Sequence, residues 1–154
     1  MAAINPHGDG QWSLRYALLV GIGVMAAVDE IVFHQLLQWH HFVDLSTPVI
    51  GIVSDGVLHA FELLAMAFGF VGLVRLARER LLDQARMWAG ALLGAGAFQL
   101  FDGVVNHKIL RIHQVRYGVD PLLYDLAWNA AGLALLLAGA WVLFWIRRQG
   151  RDVV

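Results

Sequence analysis

From Leu126 to Ile146 the chain runs 21 residues with only Asn129 interrupting it, long enough to cross a hydrocarbon core of about 30 Å. Three further segments, 14–41, 49–74 and 87–113, read as spans of a different kind. Each joins an apolar half to a half carrying Asp, Glu or His. With 122–146 they predict four transmembrane helices in a single domain. Pro48 suits a first helical turn, where its missing N–H is not needed. Gly118 and Pro121 mark the last loop.

The polar positions recur along the chain. Asp29, His34 and His40 are followed 73 positions later by Asp102, His107 and His113, with apolar residues matched between them. On the next helix of each half, Asp55 and His59 align with Asp125 and Asn129. The repeating unit is therefore a helical hairpin, and two spans per unit return the chain to its starting side. The expected architecture is all-α: an integral membrane four-helix bundle built from two parallel, pseudo-twofold-related hairpins. Gly21, Gly23, Gly69, Gly72 and the Gly90–Gly94 pair supply the small surfaces that let helices approach in lipid.

Composition supports a membrane protein. Hydrophobic residues make up 59% and charged residues 15%, against about 25% charged in a soluble domain, and mean hydropathy is +0.63. Disordered chains show the opposite balance. The absence of cysteine removes disulfides, thiolate ligands and Cys nucleophiles. A net charge of −1 gives no footprint for nucleic acid; the partner expected is the lipid bilayer, with a protein partner or homo-oligomer left open. Tyr16 to Val28 resembles the apolar part of a signal peptide, but only Arg15 stands for its basic region.

Basic residues orient the bundle. Arg15, Arg75, Arg78, Arg80, Arg86, Arg147, Arg148 and Arg151 fall on one side, against Lys108, Arg111 and Arg116 on the other. Both termini are expected in the cytoplasm, with the inner membrane of a bacterium as the location. Counting about 1.5 Å per residue from the nearest cytoplasmic arginine places Asp29, Glu62 and Asp102 roughly 20–24 Å in, and His34, His59, His107 and Asn129 roughly 24–31 Å in. The polar residues of all four spans thus gather in the outer leaflet. His40, His41 and His113 count as higher, at the interface. A 100° step puts Asp55, His59 and Glu62 on one arc and Asp125 with Asn129 on another. Glu30, His34 and His41 share an arc, as do Asp29 and His40, and Asp102, Asn106 and His113.

Ionisable groups at this depth cost about 2.5–3.5 kcal/mol each and usually have a role. Imidazoles and carboxylates at one level offer the donors that zinc, iron or copper takes. The expected ligands are His34, His59 and His107, with Asp29, Glu62, Asp102 and Asp55 as further ligands or partners. Glu30, His40, His41, His113, Asp125 and Asn129 stand around them as second-layer or interfacial groups. Haem b held by His34 and His107 is the alternative cofactor. An ion relay and a metal-free polar core that only joins helices complete the alternatives. Whether a metal here would serve catalysis or metal handling stays open.

At these residues the sequence resembles a bacterial membrane-protein family known as domain of unknown function 2243. The matching stretches are Ile31 to His41, Asp55 to Ala60 and His107 to Arg116, and the likeness covers nearly the whole chain. It implies a four-span integral membrane protein and brings no established activity or ligand. In that family a Gly usually follows the first Asp, where this chain has Glu30. A carboxylate and two adjacent His are common where it has Asn106, His107 and Lys108. These departures shift weight to the first hairpin, which has Glu30, His41 and Glu62 where the second has Gly103, Gln114 and Gly132.

Overall fold

The computed structural model describes residues 6–149, with side chains from Gly10 onward. The side chain of His7 and all of Arg151 lie outside the described residues. The chain forms α1 (Pro6–Val28), a π-helical segment π1 (Asp29–Leu36), α2 (Pro48–Arg78), α3 (Gln84–Leu100), a second π-helical segment π2 (Phe101–Leu110) and α4 (Leu122–Gln149). Among the described residues, four stretches are long and apolar enough to span a membrane: Gly10–Leu36, Pro48–Arg78, Gln84–Leu110 and Leu122–Gln149.

The polarity of the molecule is inverted relative to a water-soluble domain. Its largest fully buried side chains include His34, His107, His113, Glu62, Asp29 and Asp102, while Phe68, Phe70, Val71, Leu137 and Trp141 lie on the outside. Such a surface is stable only against lipid, and the buried set is what the bilayer would otherwise penalise.

Helix α1 packs against α2 and α3, and α3 against α1 and α4; among the described residues α2 meets neither α3 nor α4. The order across the molecule is thus α2, α1, α3, α4. Glycine decides how close the central pair comes. A Cβ on Gly90 would lie 2.2 Å from the Leu14 carbonyl, one on Gly94 2.1 Å from that of Leu18, and one on Gly21 2.1 Å from that of Ala91. Backbone touches backbone here, as small-residue packing in lipid allows. Contact positions on α1 and α3 rise together, so these helices run in the same direction. On α1 and α2 they run oppositely, with Gly69 and Gly72 against Tyr16, and Gly23 against Glu62 and Met66.

The buried positions of α2 are Gly51, Asp55, Leu58, Glu62, Ala65, Gly69, Gly72 and Leu76. Their alternating spacing of four and three is the seam of a left-handed helix pair. At the other end of the molecule, Asp83 caps α3. Its carboxylate accepts the Arg86 N–H at 3.0 Å, and its own N–H donates to the buried Ser13 hydroxyl at 3.0 Å. Asp83→Ala is expected to remove about 1 kcal/mol of stability, read as a lower thermal midpoint in detergent.

The first and third spans are shorter at their outer ends than the apolar pattern suggests, stopping at Leu36 and Leu110 rather than at 41 and 113. The π segments and the turns at their ends are the cause. In both, the i→i+5 ladder widens the helix, and the chain then leaves it through a non-glycine residue in the left-handed region, Gln38 (φ 50°) and Arg111 (φ 54°). Trp39 N–H reaches back to the Phe33 carbonyl at 2.9 Å and Ile112 N–H to that of Asn106 at 3.1 Å. His40, His41 and His113 are therefore not helical, and the helical arcs assigned to them do not apply.

Candidate metal centre

A π turn brings residues five apart nearly into line, which an α-helix does not. Asp29 and His34 are five apart on π1, and Asp102 and His107 on π2. Asp29 Oδ2 lies 3.6 Å from His34 Nε2, and Asp102 Oδ2 3.0 Å from His107 Nε2. The left-handed residues then swing His40 and His113 back over these pairs. Four imidazoles form a zigzag in the order His34, His40, His113, His107, with successive ring centroids 4.5, 4.6 and 4.7 Å apart. At its middle, His40 and His113 stack with 7° between planes.

The two central rings are anchored reciprocally. His40 Nδ1 donates to the Val115 carbonyl at 2.9 Å, and His113 Nδ1 donates to the Phe42 carbonyl at 2.8 Å. Each hairpin's outer loop thus holds the other's histidine. A carbonyl can only accept, so the proton of each imidazole sits on Nδ1 and Nε2 keeps a bare lone pair. Both Nε2 atoms are buried without a hydrogen bond. His113 Nε2 stands 3.3 Å from Asp102 Oδ1, a contact that either a proton or a metal ion on Nε2 would satisfy. Burial, with His113 and His34 beside it, pushes the His40 imidazole down to about 2, so it is neutral and a competent ligand at ordinary pH.

Ligand atoms of Asp29, His34 and His40 lie within 4.8 Å of one another, as do those of His40, His107 and His113, and those of Glu30, His34 and Asp55. Imidazole and carboxylate in such groups suit zinc, iron or copper in chemical type. Behind the outer rings stand carboxylates of the neighbouring helices and, for His34, also Glu30 of its own segment. His34 Nδ1 faces Asp55 Oδ1 at 3.1 Å and Glu30 Oε2 at 2.8 Å; His107 Nδ1 faces Asp125 Oδ1 at 3.6 Å. Asp55 also accepts from His41 Nδ1 at 2.6 Å and the Phe42 N–H at 2.7 Å, and Asp125 holds the Lys108 ammonium.

Of the residues singled out in the sequence, the structure brings together His34, His107, Asp29 and Asp102, with Asp55 behind. It adds His40 and His113, placed by helical extrapolation at the interface. It does not bring in His59, whose side chain is 50% exposed and pairs with Glu62 at 2.5 Å. The α2 seam runs through Leu58, which leaves His59 on its flank. Glu62 is buried at that seam. His41 stays half-exposed, and Asn129 donates to the Asp125 carbonyl of its own helix. The sequence does hold a signal for His40 and His113: they belong to the same repeated Asp–His–His string as His34 and His107.

The family described as Predicted membrane protein (DUF2243) matches residues 16–145. The chain belongs to this family. The matched region runs through all four spans and every residue of the centre, so the inverted polarity and the site both lie within the DUF2243 unit. No curated protein and no solved structure matches the chain. As a DUF2243 member it is a multi-pass membrane protein with four apolar helices and His/Asp/Glu groups able to hold a metal ion.

Proposed function

We propose that this protein is a membrane metalloprotein whose transition-metal centre consists of two Asp–His–His sets, Asp29–His34–His40 and Asp102–His107–His113, facing each other between α1 and α3. One observation carries the reading: the two stacked imidazoles whose Nδ1 atoms are tied to backbone carbonyls and whose buried Nε2 lone pairs have no donor. Leaving such acceptors unsatisfied costs about 1–3 kcal/mol each, and a metal ion removes that cost. Asp55 orients His34 through the opposite ring nitrogen, the role carboxylates play behind metal-bound imidazoles, and Asp125 stands 3.6 Å from the corresponding nitrogen of His107. Two His and one carboxylate per set leave coordination positions open, which suits iron or zinc doing chemistry on a small ligand or passing the ion on.

The reciprocal loop contacts, the matched π segments and the 73-residue offset support an origin by duplication of one hairpin, with the two copies parallel. Arg15, Arg75, Arg78, Arg80, Arg86, Arg147 and Arg148 lie at the end opposite the centre, against Arg111 and Arg116 beside it. By the positive-inside rule the centre then faces the outer leaflet of a bacterial inner membrane, with both termini in the cytoplasm. Haem b with His34 and His107 as axial ligands is the weaker reading, because His40 and His113 fill the space between those rings that a porphyrin would need.

Elemental analysis and a visible spectrum of the detergent-purified protein test the proposal. Stoichiometric zinc, iron or copper is expected, and a Soret band would replace this reading with haem.

A further inference from the structure

The two hairpins differ in how they neutralise the carboxylates behind the outer imidazoles. In the second, Asp125 is the acid that faces His107, and the Lys108 ammonium is bonded to it and to Gln114. In the first, Glu30, Asp55 and Glu62 are all buried, the basic groups facing them are the imidazoles of His34, His41 and His59, and no Lys or Arg occurs anywhere from residue 16 to residue 74. Gln35 stands where the repeat has Lys108. His34 Nδ1 faces both Glu30 Oε2 and Asp55 Oδ1, yet one ring nitrogen carries at most one proton. Asp55, 3.1 Å away, suffices to orient the ring. Glu30 is in excess of that need, and its Oε2 is buried without a hydrogen bond.

Space goes with charge. A cavity of about 380 Å³ opens beside Glu30, Gln35, Asp55 and His59, and a Cβ on Gly56 at its edge would meet nothing within 4 Å. In the second hairpin Gly103 replaces Glu30, and a Cβ there would already lie 2.6 Å from Trp128 and Asn129.

We propose that the first hairpin carries an additional divalent-cation site formed by Glu30, Asp55 and Nδ1 of His34, which takes the place of the fixed ammonium of Lys108 in the second. Two carboxylates and one imidazole select zinc, manganese or ferrous iron over softer ions. The separations of 2.8 and 3.1 Å from His34 Nδ1 are close to those between neighbouring ligands whose bonds to one ion are about 2.0–2.2 Å. With Nε2 turned to the central sets, His34 bridges the two regions and gives up its ring proton when both are filled. The site shares only His34 with the centre, so the two assignments fail separately.

The test is zinc content of the full chain in detergent after loading and desalting, for wild type, Glu30→Gln, Gln35→Lys and the His40→Ala/His113→Ala double variant. Gln35→Lys copies the second hairpin's own solution and sits at an exposed position, which keeps the experiment decisive if Glu30→Gln fails to fold. Both single variants are expected to hold one zinc equivalent fewer than wild type. Either of them, folded and retaining wild-type zinc, would overturn the additional site. Loss confined to the histidine double variant would leave the centre standing without it. Loss confined to Glu30→Gln and Gln35→Lys would leave this site standing without the centre. A wild type that takes up no zinc would overturn both.

Discussion

The double variant His40→Ala/His113→Ala is expected to lose the metal of the centre while keeping its four spans. Each substitution removes one imidazole whose Nε2 faces the site and one bond to the opposite loop, His40 to Val115 and His113 to Phe42. Outer-shell partners alone typically carry 10–100-fold of metal affinity, so losing two direct ligands is expected to weaken binding by more than about 100-fold. Elemental analysis after desalting reads this directly. The spans persist because the close approach of α1 and α3 runs through Gly21, Gly90 and Gly94, remote from these rings. Either single variant is expected to show an intermediate loss. A double variant with undiminished metal would remove His40 and His113 from the ligand set.

Gly94→Val carries the largest expected effect on the fold. A Cβ at that position would meet the Leu18 carbonyl at 2.1 Å and the Ile22 nitrogen at 3.0 Å. Both are backbone atoms, so no rotamer change relieves the overlap and α1 must part from α3. Overpacking of this kind costs about 1–3 kcal/mol where side chains can move, and at least the upper figure is expected here. Because α1 leads into Asp29, His34 and His40 and α3 into Asp102, His107 and His113, the same change is expected to abolish metal retention from a distance. Gly56→Ala is the control. A Cβ there meets nothing within 4 Å, and an alanine in a helix gains up to about 1 kcal/mol over glycine. Thermal unfolding in detergent should separate the two variants clearly; equal midpoints would contradict the backbone contact.

Much of this is legible in the sequence because lipid imposes a one-dimensional rule. Spans follow from apolar length, and buried carboxylates and imidazoles stand out against them. Asp29, His34, Asp102 and His107 are legible in the same way, as ionisable residues deep in apolar segments. His40 and His113 are misplaced by a 100° step, because it runs past Leu36 and Leu110 into segments that are not helical. The duplicated Asp–x4–His spacing contains the correction, since residues five apart share a face of a π-helix and not of an α-helix. His59 enters the expected ligand set for the opposite reason. Its arc with Asp55 and Glu62 is sound, but the seam that α2 presents to α1 runs through Leu58, and no arc on a single helix fixes where its neighbour sits. The weight that the sequence places on the first hairpin is only partly matched. The four central rings come equally from both halves, and the asymmetry lies behind them, at Glu30, Glu62 and Lys108.

X-ray absorption at the metal edge of the loaded protein tests the centre most directly. The account predicts a first shell of nitrogen and oxygen near 2.0–2.2 Å with the multiple scattering of several imidazoles, diminished in the His40→Ala/His113→Ala variant. A bound ion surrounded by oxygen alone, or an imidazole signal unchanged in that variant, would contradict it.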